Sequence, residues 1–289
     1  MYNTILYTFM SFLGRHLPLQ YLYFIGRTVA IFRYCVLHEM KKTVKDNLRI
    51  ILEYRKKIKG IPYTEKDLNT LVRNTFFNFA QYLVDFFYIP KWTSEMVKKK
   101  VRVENIELLN EGLSHGKGVI ALTAHIGNWE LAGIAASLLG YKVTAIAIPY
   151  LNPAVTRIYK TTRTTRGIEV ILTGANPKHI LKALRENRIL AVLGDKVFTE
   201  KGTNVRFLGT EALLPRGPAT LVVKTGAAFV AGFFIMEGQN YRFFFTKIDQ
   251  PSPQLPEEEK INFLIQKGAE VIEKVILSYP DQWLNFSPL

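Results

Sequence analysis

The residues 119–130 bring together the groups that proton transfer needs. An imidazole, His125, and a carboxylate, Glu130, stand five positions apart. A neutral imidazole held by a carboxylate can take a proton from a hydroxyl, and the N–H groups of a helix start can meet negative charge as it develops on a substrate. The run Val119, Ile120, Ala121, Leu122 has the length and β-branched content of a buried strand, and it stops at His125. Gly127 permits a tight turn, Asn128 suits a helix cap, and Glu130 falls in the first helical turn ahead of apolar residues 131–139. His125 is therefore expected at the C-terminal end of a strand facing a helix N-terminus, the edge where open α/β sheets place ligands. The same residues also fit a loop histidine bound to a capping carboxylate.

A second strand, expected over 190–194, runs straight into Asp195. In a parallel sheet His125 and Asp195 point to the same rim. Between them Asn152 and Pro153 start a helix that ends in Arg163, Arg166 and Gly167. An arginine there could hold a phosphate through two hydrogen bonds, or could satisfy the helix C-terminus. No metal site is expected: His125 and Glu130 lack the His-Glu-x-x-His spacing, and His16, His38, His115 and His179 show no ligand pattern. A nucleotide-binding dehydrogenase is disfavoured because no Gly-x-Gly-x-x-Gly follows a strand.

The elements that must carry these groups come from a chain of 289 residues that is 48% hydrophobic, enough for a full core. Its net charge of +14 attracts anionic partners, with nucleic acid, acidic headgroups and an acidic carrier protein as candidates. The lone Cys35 excludes an intrachain disulfide framework and fits a reducing compartment. No cleavable signal peptide is expected, since the first apolar segment lacks a basic leader and a small-residue cleavage site.

Residues 1–40 read as N-terminal membrane-anchoring helices. Tyr, Phe, Leu and Ile are interrupted by Arg15, Arg27 and Arg33, and no apolar run reaches the roughly 20 residues of a comfortable transmembrane helix. Aromatic residues with spaced arginines suit the membrane interface, and equally an aromatic helical pair packed on the domain. Lys41, Lys42, Lys45, Arg49, Arg55, Lys56, Lys57 and Lys59 follow, a pattern of anionic-lipid binding or of a solvated helix face. Residues 64–88 read as one helix that Pro90 ends, and Lys98, Lys99, Lys100 and Arg102 form a basic patch after it.

From about residue 102 strands and helices alternate. Strands are expected near 119–124, 142–148, 169–172, 190–194, 228–236 and 241–247, with helices near 106–114, 128–139, 153–166, 177–186, 217–225 and 257–279. This predicts an α/β domain over 41–289, helical in its first part (41–100), with a mostly parallel twisted sheet flanked by helices. The last two strands suit an antiparallel edge.

These residues resemble the bacterial lipid A biosynthesis acyltransferases, the late lauroyl and myristoyl transferases. The resemblance rests on His-x4-Glu within Thr123, Ala124, His125, Ile126, Gly127, Asn128, Trp129, Glu130, and extends along the chain in order. It takes in Lys45 to Leu48, then Ile148 to Pro153 with Arg163, then Leu193-Gly194-Asp195. Further on come Val205 to Gly209, Gly217-Pro218-Ala219, Lys224 to Ala227, and the closing Pro280-Asp281-Gln282-Trp283.

The resemblance implies transfer of an acyl group from acyl-carrier protein or acyl-CoA to a hydroxyl of a lipid A precursor or similar anionic glycolipid. The reaction would take place at the cytoplasmic face of the inner membrane, with no cofactor. It implies His125 as general base, Glu130 as the group that orients and charges it, and Arg163 on an acceptor phosphate. Asp195 would support the site or position the acceptor, and N–H groups near Gly127 and Asn128 would face the oxyanion. No acyl-enzyme is suggested, since Cys35 is far from these motifs and no Ser lies in a nucleophile elbow. The signature also occurs in relatives acting on other glycolipids, including mannosylated phosphatidylinositol, while lysophospholipid enzymes typically carry Asp at the position of Glu130. A protein that binds anionic membrane or nucleic acid without catalysis is the alternative from another class. It leaves the two charged strand ends unexplained, and no nucleic acid partner is expected.

Overall fold

Residues 2–88 form four helices, each with apolar side chains on the face it buries, and one of them has a side-chain cap. The computed structural model describes residues 2–197 and 202–289. In it α1 (Tyr2–His16), α2 (Leu19–Val36), α3 (His38–Lys59) and α4 (Glu65–Tyr88) follow one another with short breaks at Pro18, Leu37 and Gly60. The start of α4 is fixed by a capping box: Thr64 Oγ1 accepts from the Asp67 N–H at 3.2 Å, and Asp67 Oδ2 accepts from the Thr64 N–H at 2.8 Å. Both α1 and α2 lie on α4. The approach of α1 is so close that a Cβ at Gly14 would overlap the Phe87 carbonyl. No helix among the described residues is long and apolar enough to cross a membrane.

The alternating part follows: α5 (Ser94–Lys100), β1 (Val101–Glu104), α6 (Glu107–Ser114), β2 (Val119–Thr123), α7 (Trp129–Leu138), β3 (Val143–Ala147), α8 (Pro153–Thr164), β4 (Glu169–Leu172), α9 (Lys178–Arg185) and β5 (Ile189–Leu193). The hairpin β6 (Gly202–Phe207) and β7 (Thr210–Pro215) leads to α10 (Gly217–Thr225), β8 (Ala228–Glu237), β9 (Asn240–Lys247) and α11 (Glu257–Ser278). Seven strands form one sheet in the order β1-β9-β8-β2-β5-β3-β4, parallel at every pairing but the antiparallel β8 and β9. The mostly parallel α/β architecture is as expected. The antiparallel pair, however, is not the edge: β1 adds to β9 as a parallel outer strand, and β6 and β7 pair only with each other.

Helices cover both faces. Phe229, Ala231 and Phe233 of β8 pack with Ile120 and Leu122 against α11 and α3, while Val230, Phe234 and Met236 pack with Leu131, Ile134 and Val143 on the other side. Strand alternation alone sorts these residues into two cores. Each fully buried Leu, Val or Phe contributes about 1.5–3 kcal/mol relative to exposure.

The register places the site. Thr123 of β2 pairs with Leu193 of β5, so His125 and Asp195, each two residues beyond its partner, leave the sheet side by side.

Candidate active site

A parallel register and a sharp turn bring an imidazole onto a buried carboxylate. His125 Nδ1 lies 2.9 Å from Asp195 Oδ1, and the His125 main-chain N–H donates to Asp195 Oδ2 at 3.0 Å. The indole N–H of Trp283 donates to the same oxygen at 2.8 Å. Burial pushes the Asp195 carboxyl up, but the His125 imidazole and the hydrogen bonds outweigh it and hold the group below the usual aspartate range. An ionised carboxylate only accepts, so the Nδ1 of a neutral ring carries the proton and its lone pair lies at Nε2. The Asp195 side chain is closed to solvent while that of His125 keeps 18% of its surface, so the ring is the reachable member of the pair.

The turn after β2 is held from three sides. Gly127 sits at φ 62° against β8, where a Cβ would overlap the Phe234 carbonyl. Its N–H donates to the Gln282 carbonyl at 2.9 Å, and the Asn128 N–H donates to the Phe234 carbonyl at 2.8 Å. The two N–H groups expected to face an oxyanion are therefore committed to the fold. Asn128 caps α7, its Oδ1 accepting from the Leu131 N–H at 3.0 Å, while its Nδ2 donates to Asp85 at 3.0 Å. That side chain is fully buried and taken up by the cap and by Asp85, and so is not placed to touch a substrate.

Glu130 and Arg163 also meet, in a way that differs from expectation. Arg163 Nε donates to Glu130 Oε2 at 2.8 Å and its terminal NH2 to Oε1 at 2.5 Å, a two-point ion pair between α7 and α8. The carboxylate that meets the His125 ring is therefore Asp195 and not the expected Glu130, because Glu130 pairs with Arg163 of α8 whereas Asp195 lies just beyond β5, beside the ring. Likewise Arg163 grips a carboxylate of its own chain where a substrate phosphate was expected. Burial lowers the Arg163 guanidinium, but the adjacent Glu130 charge raises it well above its ordinary range. The pair is walled by aromatics. Arg163 lies over the Tyr159 ring at 5.5 Å, Tyr150 packs on Tyr159 at 4.7 Å, and Trp129 stacks on Tyr82 at 4.3 Å while meeting the His125 ring edge-on at 5.0 Å. Burial, then the Glu130 charge, pushes the Tyr150 phenol up to about 12.

Two supports escaped the residue-level reading. One is the C-terminal strap. Gln282 bonds both main-chain groups of Met236 at 2.9 Å, the Leu284 N–H donates to the His125 carbonyl at 2.8 Å, and Asn47 of α3 donates to the Asn285 and Ser287 carbonyls at 3.2 and 2.8 Å. The other is Asp85, which accepts from Tyr23 (2.7 Å), Tyr241 (2.8 Å) and Asn128 (3.0 Å), and whose carboxyl burial pushes up to about 6. A lone acidic residue within the aromatic run 76–88 was the available signal for it.

Among the described residues no group of three or more metal-ligating side chains comes together. Beneath the end of β5 lies an apolar crevice lined by residues that include Leu122, Gly194, Phe229, Leu264 and Ile272; at about 20 Å³ it is a water-sized gap.

A family model described as bacterial lipid A biosynthesis acyltransferase matches residues 1–289. The phosphatidylinositol mannoside acyltransferase of Mycolicibacterium smegmatis is 26% identical over 223 residues, which span 75% of this chain and 71% of that protein. A protein of the same name from Mycobacterium tuberculosis is 24% identical over 218 residues, 73% of this chain and 67% of that one.

Proposed function

The chain belongs to the bacterial lipid A biosynthesis acyltransferase family and is an acyltransferase; from that premise and the site's geometry we propose direct acyl transfer from a thioester to a glycolipid hydroxyl, with His125 as base. The observation that carries it is the Asp195 carboxylate 2.9 Å from His125 Nδ1, which fixes the tautomer a general base needs.

In this reading the acceptor hydroxyl lies against His125 Nε2. As its oxygen attacks the thioester carbonyl, Nε2 takes its proton, and Asp195 stabilises the imidazolium so formed. The oxyanion develops near the start of α7, whose N-terminal field favours negative charge. Collapse of the tetrahedral species breaks the carbon–sulfur bond. The thiolate leaves with the imidazolium proton, which returns the ring to its neutral form, and no acyl-enzyme is formed. Glu130 and Arg163, as a locked pair, hold α7 to α8 beside Trp129.

The donor in this proposal is acyl-carrier protein or acyl-CoA, and the acceptor is an anionic glycolipid. A lipid A precursor and a phosphatidylinositol mannoside are the two acceptors to offer, the first from the family's description and the second from the names of the relatives. The protein would sit on the cytoplasmic face of the inner membrane through α1 and α2, which expose Ile5, Phe9, Phe12, Phe24 and Phe32 among arginines.

The test is a transfer assay in detergent that offers radiolabelled acyl-carrier-protein and acyl-CoA donors against both glycolipids and a panel of lysophospholipids. Product that disappears in His125→Ala supports the proposal and names the acceptor. Product that persists in His125→Ala removes the mechanism, and binding to anionic lipid without product from any pair leaves a non-catalytic lipid-binding protein.

A further inference from the structure

The turn joining β3 to α8, residues 148–152, stands at the same rim of the sheet as His125, because β3 and β2 both lie parallel to β5 and flank it. It presents apolar side chains to solvent. Tyr150 rests one ring face on Tyr159 and is otherwise exposed, as are Ile148 and, at the tip, the fully exposed Leu151. The tip is held in this pose: the Tyr150 N–H donates to Thr156 Oγ1 at 2.8 Å, and Asn152 caps α8 by accepting from the Ala154 N–H at 2.9 Å. Ile148, Tyr150 and Leu151 together, rather than any one of them, make an exposed apolar patch at the rim that carries His125, the kind of feature that marks a contact.

Charge and continuity identify what it contacts. Residues 148–168 include Arg157, Lys160, Arg163 and Arg166 and no acidic residue, and Arg157 and Lys160 lie on the exposed side of α8 behind the tip. Residues 1–38 include Arg15, Arg27 and Arg33 and likewise no acidic residue. The two segments adjoin: α1 packs on α8, with Tyr7 next to Tyr159 at 6.1 Å between ring centres, and the outer side of α1 exposes Ile5, Phe9 and Phe12. Apolar tips backed by cations and free of carboxylates match the interface of an anionic bilayer, where acyl chains take the tip and headgroups take the cations.

We propose that the 148–152 turn is a second lipid-inserting element, which with the α1–α2 pair seats the mouth of the His125 site on the bilayer, so that a lipid acceptor enters from the leaflet. The proposal builds on the membrane attachment proposed above and is tested without reference to acyl transfer. In a Cys35→Ser background, Leu151→Cys is labelled with nitrobenzoxadiazole and mixed with vesicles of phosphatidylethanolamine and phosphatidylglycerol. The probe should shift to the blue, gain intensity and be quenched by nitroxide on lipid acyl chains. Ser252→Cys, exposed beyond the end of β9 at the opposite rim, should do none of these. Unlabelled Leu151→Glu, with the melting temperature of the parent, should show a several-fold smaller vesicle-bound fraction.

Insertion is overturned if the protein floats with vesicles while the probe at 151 stays in water, if 252 responds equally, or if the 151 probe shifts with acyl-carrier protein or with rising protein concentration in the absence of lipid. Failure to float at all removes membrane attachment together with insertion. The same label placed in His125→Ala should give the same spectrum, so a failed acyltransferase assay and a failed insertion remain separate results.

Discussion

Asp195 accepts hydrogen bonds from the main chain and side chain of one histidine and from one indole, so its charge is spent on a single orientation of the His125 ring. Removing the proposed base by His125→Ala should lower kcat by about 10² to 10⁴-fold. Asp195→Asn should approach about 10⁴-fold, because the amide can donate to Nδ1 and so favour the wrong tautomer. Its circular dichroism should remain that of the parent, and steady-state kinetics on the accepted glycolipid would check both variants. Glu130→Gln belongs to another class. It leaves the buried Arg163 cation without its carboxylate, which should cost about 3–5 kcal/mol of stability, and Glu130→Gln with Arg163→Met should restore most of it. Denaturant unfolding of the three proteins tests this. A Glu130→Gln variant as stable as the parent would mean that the ion pair contributes little and that Glu130 is kept for the substrate.

At the scale of elements, Asp85 of α4 is the junction of α2, β9 and the cap of α7, through Tyr23, Tyr241 and Asn128. Its carboxyl titrates near 6 in the fold against about 3.8 when unfolded, so between those values the unfolded chain gives up a proton that the folded chain keeps. Stability from this group is therefore fully present below about pH 3.8 and is lost as pH rises through about 6, a change on the order of 3 kcal/mol at most. Compared with Asp85→Asn, the parent should lose stability from pH 4 to pH 7, as measured by denaturant unfolding at each pH. A difference that stays flat across that range would mean that Asp85 keeps its ordinary titration.

The same scale shows what the sequence made legible. The strand expected over 119–124 is β2, and its end at His125 was readable because an apolar run meets Gly127 and a capping Asn128. The helix expected over 64–88 was readable from Thr64 and Asp67 at one end and Pro90 at the other. The partner of His125 was not readable: Glu130 is near in sequence, but Asp195 is near in space through a β2–β5 register that no local pattern specifies. The strand β1 is four residues with Arg102 and Glu104 on it, too short and too charged for a periodic signal, and it turned the expected edge into an interior pair. The hairpin of β6 and β7 stands outside the main sheet, and in β7 the adjacent Leu213 and Leu214, one exposed and one buried, hide the two-residue period from the sequence.

Over the whole molecule the net charge is +14, α1, α2 and the 148–152 turn expose apolar side chains, and no described helix is long and apolar enough to cross a membrane. Attachment of this kind should weaken with ionic strength, since each Lys or Arg near an anionic surface contributes about 1 kcal/mol that salt screens. Vesicle co-sedimentation at rising salt should show the bound fraction falling, and an alkaline carbonate wash should release the protein from isolated membranes. Retention through that wash would mean that some segment spans the bilayer after all.

The C-terminal strap is made after the parts it holds. Trp283 holds Asp195, Gln282 holds β8 and the Gly127 turn, and Leu284 holds the His125 carbonyl. During translation all of these emerge after every strand of the sheet. A nascent chain still threaded in the ribosome can build the helices and the β sheet in order, yet it lacks the contacts that lock the imidazole. The sheet can therefore form before the histidine is fixed, and the ring takes its single orientation only once residues 282–284 have been made and folded back onto β2 and β8.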